Sequence, residues 1–116
     1  MLITGDANFR SAAVALDALA ERQRASAENI ANIQTPGYLA RTVNFEQALR
    51  NQRAGGVPND SAISSSRSTS PTNINGNNVQ LDEEMVRLQD TQLRYQVMSR
   101  YVQARFDHLR TASRTT

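Results

Sequence analysis

The chain has 116 residues, which is enough for one domain, and its 39% hydrophobic and 5% aromatic content predicts a thin core that packs against copies of itself or a partner. The absence of cysteine excludes disulfides and thiolate metal sites, and the single histidine, His108, argues against zinc and Ser-His-Asp chemistry. All 13 basic residues are arginines, spread among 11 acids for a net charge of +2, so no clustered basic surface for nucleic acid is predicted.

The first predicted element is an Ala-rich helix over residues 6–33, with Thr4 or Asp6 as its N-cap. Apolar positions recur at alternating steps of four and three, which is the heptad rhythm of a coiled-coil seam. Most of these side chains are small, so a partner helix can approach closely while little area is buried per residue. The predicted seam positions are Phe9, Ala13, Leu16, Ala20, Gln23, Ala27 and Ile30.

A tight turn is predicted to end this helix. Pro36 forces Thr35 out of the helical region, and Pro36 with Gly37 fits the central positions of a type II turn, where glycine supplies the positive φ. Asn29 and Asn32 lie on one face near the helix end, where their amides can bond free carbonyls or the backbone of a neighbour. The residues alone therefore predict a helix end followed by a turn.

The middle of the chain is predicted to be irregular. Residues 39–43 predict a short strand, and Asn44 with Gln47 predicts the cap of one or two helical turns. Residues 51–78 are rich in serine, glycine and proline and poor in apolar side chains, which predicts a flexible loop.

The last predicted element is a long helix over residues 81–112 with the same heptad rhythm. Acids crowd its start and arginines its end, as the helix dipole favours. Glu83 with Arg87 and Asp90 with Arg94 are predicted ion pairs across one helical turn. The seam positions of this helix are Leu81, Met85, Leu88, Gln92, Tyr95, Ser99, Val102, Phe106 and Leu109.

A second apolar row lies beside that seam on the last helix. One partner helix fills one seam, so two rows predict that one faces the first helix and the other faces neighbouring subunits. The alternative is that the second row covers a small local core. The row consists of Val86, Leu93, Val97 and Tyr101.

Together these elements predict an all-α fold in which two long terminal helices form an antiparallel coiled coil, with an irregular middle segment. The helical domain is discontinuous and comprises residues 1–37 and 79–116. Residues 38–78 form the extended middle, with short strand or turn elements, and its part over residues 51–78 is the predicted flexible stretch.

No group of residues predicts catalysis, a cofactor or a metal. The chain has no Gly-rich phosphate loop followed by lysine, and its carboxylate cluster of Asp82, Glu83 and Glu84 is ordinary for a first helical turn. His108 is interpreted as a surface histidine. We therefore predict that the chain is not an enzyme.

An Arg-rich coiled-coil binding module is the alternative from a different functional class. Arg87, Arg94 and Arg105 lie roughly on one face of the last helix by its 3.6-residue period. Such a face could bind an acidic partner or nucleic acid, and binding to DNA would then depend steeply on salt.

The helix end and turn carry a motif whose fixed positions are Asn29, Ile30, Ala31, Asn32, Thr35, Pro36, Gly37 and Tyr38. This motif resembles the N-terminal motif of the bacterial flagellar rod, hook and hook-associated axial proteins. Residues 75–79 and 81–85 resemble the approach to the C-terminal helix of that group, and residues 92–96 continue the likeness. Within the group, the short chain and its C-terminal half most resemble the proximal-rod proteins of the FlgB family.

The resemblance implies a structural subunit of the flagellar basal-body rod. Members of this group are exported by the flagellar type III apparatus without signal cleavage, and their paired terminal helices line the inner tube of a helical array. The resemblance thus implies a periplasmic rod location, with the second apolar row as the subunit contact. The implied partners are further copies of the chain, other rod proteins, the rod–ring adaptor, the membrane ring and the export gate, without nucleic acid or small-molecule substrate. Another axial protein at a different rod position is the alternative within the group.

Overall fold

A computed structural model of the chain describes residues 7–55 and 63–114 and contains two long helices joined through a short ribbon and a small helix. The predicted caps at Thr4 and Asp6, and part of the predicted flexible stretch, lie outside the described residues. None of the helices in the described part is long and apolar enough to cross a membrane. In chain order the elements are α1 (Ala7–Ala31), β1 (Arg41–Val43), α2 (Phe45–Gly55), β2 (Ser65–Arg67) and α3 (Leu81–Arg114).

Helices α1 and α3 pack side by side in antiparallel orientation. Phe9 near the start of α1 meets Phe106 near the end of α3, with the ring planes nearly perpendicular and the centroids 5.7 Å apart. Towards the other end of the pair, Asn29 of α1 donates a hydrogen bond to Glu84 in the first turn of α3. The predicted all-α fold with antiparallel terminal helices is therefore confirmed.

Within the single chain, the buried face of α1 is centred one residue before the predicted seam. Five of the predicted positions are half-buried, and the other two, Gln23 and Ala27, are exposed. The reason is that several of the buried residues are polar or very small, so a search for large apolar side chains does not detect them. The buried residues that precede predicted seam positions by one are Ala12, Ala15, Leu19, Ser26 and Asn29.

On α3 the same shift of one residue is seen at two predicted seam positions, Met85 and Gln92. Glu84 and Thr91 are the buried residues of this helix, whereas Met85 next to Glu84 is 47% exposed. Tyr95 is 40% exposed. The predicted positions that are half-buried are Leu88, Ser99, Val102 and Leu109. Phe106 contacts Phe9 of the first helix, as its seam position predicts.

The short helix α2 packs on α1 through a small apolar cluster. Ala48 of α2 is buried against Val14 and Ala18 of α1, and Phe45 and Ile63 cover the cluster. This contact explains why a second face of α1 is apolar and why α2 is helical despite its few apolar residues.

The structure confirms two predictions for the middle segment, the cap at Asn44 and the short strand β1. The side-chain oxygen of Asn44 accepts a hydrogen bond from the backbone N–H of Gln47 at 3.0 Å, which caps α2. Helix α2 runs for 11 residues, longer than the one or two turns predicted. Strand β2 was not predicted because its residues are polar; it pairs antiparallel to β1, with Thr42 opposite Ser66.

Candidate functional site

Three buried asparagines join the turn after α1 to the segment that leads into α3. Asn29 and Asn77 have no exposed surface, and Asn78 is 5% exposed. We call these three residues the asparagine junction. Buried amides are costly unless they are hydrogen-bonded, so their partners decide whether the junction stabilises the fold.

Asn29 uses the full hydrogen-bonding capacity of its amide. Its nitrogen donates to the carbonyl of Arg41 at 2.8 Å and to a carboxylate oxygen of Glu84 at 3.1 Å. Its oxygen accepts from the backbone N–H of Arg41 at 2.8 Å and from the hydroxyl of Tyr38 at 2.9 Å. One side chain thereby holds the end of α1 against both β1 and the start of α3.

Asn77 binds two carbonyl groups of the turn that follows α1. Its side-chain nitrogen donates to the carbonyls of Asn32 and Thr35, at 2.8 Å each, and its oxygen accepts from the backbone N–H of Val79 at 2.8 Å. The two terminal helices are therefore connected by backbone-directed hydrogen bonds just where their packing ends.

Asn78 makes the third connection, to the ribbon. Its side-chain oxygen accepts from the backbone N–H of Ala40 at 2.6 Å, and its nitrogen donates to the carbonyls of Ser68 and Ser70 at 3.2 Å. The same residue donates its backbone N–H to the carbonyl of Tyr38. The junction thus fixes the direction in which the chain leaves the helix pair.

The predicted type II turn is present and fits against the junction. The N–H of Tyr38 donates to the carbonyl of Thr35, and Gly37 has a φ of 74°. Gly37 in turn donates its N–H to the backbone carbonyl of Asn75 at 2.8 Å. A Cβ on Gly76, whose φ is 82°, would lie 3.3 Å from the Cα of Gly37, so the two backbones meet at glycine on both sides.

The substitution Gly76→Ala is expected to destabilise the chain by about 2 kcal/mol, because it adds a tight contact to the strain of a positive φ. Gly37→Ala is the matched control, since a Cβ there meets nothing within 4 Å and only the strain of about 1 kcal/mol remains. Urea unfolding followed by circular dichroism measures both values. Equal losses in the two variants would contradict the close approach of the two turns.

A polar layer connects α1 to α3 next to the junction. The guanidinium of Arg22 donates to the hydroxyl of Thr91 at 2.8 Å and forms an ion pair with Asp90. Asp90 also pairs with Arg94 at 3.1 Å, which confirms that predicted pair. The hydrogen bond from Arg22, assisted by Arg94, lowers the pKa of Asp90 against the opposing effect of burial.

The other predicted pair on α3 is wrong. Arg87 bonds Glu84 at 2.7 Å and not Glu83, because the carboxylate of Glu84 is the one that turns inward to meet Asn29. Glu83 lies exposed on the outer side of the helix and forms no ion pair within the described residues.

Two carboxylates that bind arginines, Asp90 of the polar layer and Glu21 of α1, predict a loss of stability in acid. The pKa values of Asp90 and Glu21 are both lowered in the folded chain, Glu21 by hydrogen bonds first from Arg41 and then from Arg24. Below the ordinary carboxyl pKa the unfolded state takes up more protons than the folded state, so the free energy of unfolding falls as the pH drops below about 4.

Urea unfolding measured between about pH 3 and pH 6 tests this expectation, with Asp90→Asn as the control. The variant should unfold at lower urea at neutral pH and show a shallower pH dependence. An unchanged slope would mean that the Arg22 pair contributes nothing to the acid dependence.

The second apolar row lies on an open face of α3. By the helical period it is directed roughly 130° away from the buried Glu84 and Thr91. The alternative that this row covers a small local core therefore does not hold within the described residues. We call the row the outer strip; the exposed fractions are 66% for Val86, 62% for Leu93, 57% for Val97 and 37% for Tyr101.

The described residues contain no group of acidic and histidine side chains that could hold a metal ion. His108 is exposed on α3, away from the junction. The features that stand out are therefore a rigid junction and an uncovered apolar helix face.

Residues 71–115 match the family model described as flagellar basal body rod FlgEFG protein C-terminal. The flagellar basal body rod protein FlgB of Bacillus subtilis strain 168 is 33% identical over 104 residues, which cover 78% of this chain and 80% of that protein. FlgB of Salmonella typhimurium strain LT2 is 32% identical over 118 aligned positions, covering 84% and 86%. The chain belongs to the FlgB family.

Membership of the FlgB family makes the chain a structural subunit of the flagellar basal-body rod, which assembles with other rod components. The matched C-terminal region contains two of the three junction asparagines and the whole outer strip. Periodicity missed Asn77, Asn78 and the polar layer, because none of these residues is apolar. The Asn- and Gly-rich sequence before α3 was the available signal for Asn77 and Asn78. The position of Asn29 near the end of α1 predicted that its amide bonds nearby backbone, as it does at Arg41.

Proposed function

We propose that this FlgB-family chain is the proximal-rod subunit and that it assembles into a helical tube through α1 and α3. The observation that carries the proposal is the outer strip, since α3 is already packed against α1 and still presents a second apolar face. Burial of a Val or Leu side chain is worth about 1.5–3 kcal/mol, so covering the strip supplies a substantial driving force for association.

The proposal divides the chain between two parts of the tube. Residues 1–37 and 79–116 form its inner helical layer, and residues 38–78 lie outside that layer. The half-buried side of α1, with Ala13, Leu16 and Ala20, packs on neighbouring copies. The asparagine junction gives every copy the same exit from the helical layer, which a regular lattice requires.

In this proposal the chain is exported by the type III apparatus without signal cleavage and reaches the periplasmic part of the basal body. Its neighbours at the proximal end are the membrane ring, the rod–ring adaptor and the export gate. It has no catalytic activity, and it binds neither nucleic acid nor a small-molecule substrate.

The binding-module alternative loses support from the ion pairs of α3. Arg87 is paired with Glu84 and Arg94 with Asp90, so two of the three arginines of that predicted face are already engaged by carboxylates. No observation in the structure favours nucleic acid over a protein neighbour.

Deletion of the gene, followed by electron microscopy of extracted basal bodies, tests the rod position. We expect membrane rings without any rod, and restoration of rods when the gene is supplied again. A rod stub that ends short of the hook would place the chain at another axial position. Complete rods and normal swimming in the deletion strain would contradict the proposal.

A further inference from the structure

Two charges of opposite sign, unpaired within the described residues, lie near the two ends of the outer strip. Glu83 precedes Val86 at one end, and Arg100 follows Val97 at the other. Both charged side chains are exposed, and neither forms an ion pair within the described residues. Their helical angles place them on the same side of α3 as the strip.

Two residue pairs of this face match each other when its direction is reversed. Glu83 and Arg100 lie equally far from the midpoint between residues 91 and 92, and so do Val86 and Val97. Leu93 lies beside that midpoint. An antiparallel copy would therefore place Glu83 against Arg100 and Val86 against Val97, with Leu93 beside Asp90 and Tyr101 beside Asp82.

We propose that two free copies of the chain pair antiparallel through their outer strips, about a two-fold axis near residues 91 and 92. Glu83 of each copy then faces Arg100 of the other, and the contact extends over about 26 Å, or five helical turns. The antiparallel direction also brings opposite helix dipole ends together.

The parallel, in-register arrangement is disfavoured by the same charges. It would place Glu83 against Glu83 and Arg100 against Arg100 at the edges of an apolar contact, where like charges repel strongly. Copies in a rod all point the same way, so the antiparallel pair belongs to the free chain. The pair covers the strip before assembly, and its formation in solution does not depend on the rod proposal. If the rod grows through the same strip, the pair competes with that growth.

Cross-linking of single-cysteine variants tests the direction of pairing, because the chain has no cysteine of its own. Val86→Cys mixed with Val97→Cys is expected to give a disulfide-linked dimer under mild oxidation. Each variant alone should remain uncross-linked, since like positions are then about 16 Å apart along the helix, beyond the reach of a disulfide. Self-linking of either variant, or no dimer in the mixture, would overturn the proposal.

Sedimentation equilibrium of charge variants tests the end contacts. Glu83→Arg and Arg100→Glu are each expected to raise the dimer dissociation constant about tenfold, and the double reversal should bring it back to near the original value. Arg114→Glu makes the same charge change on α3 outside the five-turn contact and should leave the constant unchanged. Failure of the double reversal to restore pairing would contradict the assigned partners, whatever the deletion strain shows about rods.

Discussion

Replacement of Asn29 by leucine is expected to lower the free energy of unfolding by about 3 kcal/mol, because it leaves several buried hydrogen-bonding groups without a partner. The groups affected are the backbone of Arg41, the hydroxyl of Tyr38 and the carboxylate of Glu84. Leucine has the same four branched side-chain heavy atoms, so the substitution opens no cavity, and the loss combines missing hydrogen bonds with the room that the larger methyl groups need. Urea unfolding monitored by circular dichroism measures it.

Asn32→Leu is the matched control for this variant. Asn32 belongs to the same motif, but its amide bonds only the carbonyl of Glu28 and the hydroxyl of Thr35, in exposed positions. Its replacement should cost less than about 1 kcal/mol, since water can substitute for exposed partners. If both leucine variants lost the same stability, the buried junction would not be the feature that holds the two helices together.

The substitution Leu93→Asp is expected to abolish rod assembly and reduce swimming to the level of the deletion strain. Leu93 is 62% exposed in the single chain, so the charge is tolerated there, but it becomes buried and unpaired when a neighbour covers the outer strip. Val97→Asp should have the same effect. Soft-agar motility and electron microscopy of basal bodies measure the outcome.

Gln103→Asp is the control for the charge itself. Gln103 is exposed on α3, on a side of the helix away from the outer strip, and the substitution adds the same negative charge. This variant should swim normally, and all three proteins should have equal helix content when purified. Normal motility with Leu93→Asp would show that the strip is not a subunit contact.

Much of the architecture was predictable from local chemistry. The long helix begins at Leu81 as predicted, because acids and a polar loop precede a sustained heptad pattern. The Pro36-Gly37 turn and the Asn44 cap were predictable as well, since each depends on the conformational preference of one or two residues. Features set within a few residues of the chain are the ones that sequence reasoning recovers.

The residues that join the helices were not predictable from apolar periodicity. Glu84 and Thr91 are the buried residues of α3, and they are tolerated there because Asn29 and Arg22 supply hydrogen bonds from the other helix. Such pairs are distant in sequence, and only the packed structure brings them together. A pattern of apolar residues therefore placed the seam one position too late on α1 and at two positions of α3.

The outer strip was visible in the sequence, but its role depends on the position of α1. Two apolar rows on α3 are compatible with either a thicker local core or a second partner, and the exposure of Val86, Leu93 and Val97 decides between them for the single chain. The partner that covers this face is set by contacts between chains, and the apolar pattern of one chain does not contain those contacts.

The most direct test of the rod account is mass spectrometry of hook–basal bodies purified from the bacterium that encodes this chain. We expect peptides of the chain in the intact particle, at an abundance comparable with other rod subunits, and their absence from particles of the deletion strain. Motile cells whose purified basal bodies lack the chain would contradict its role as a rod subunit.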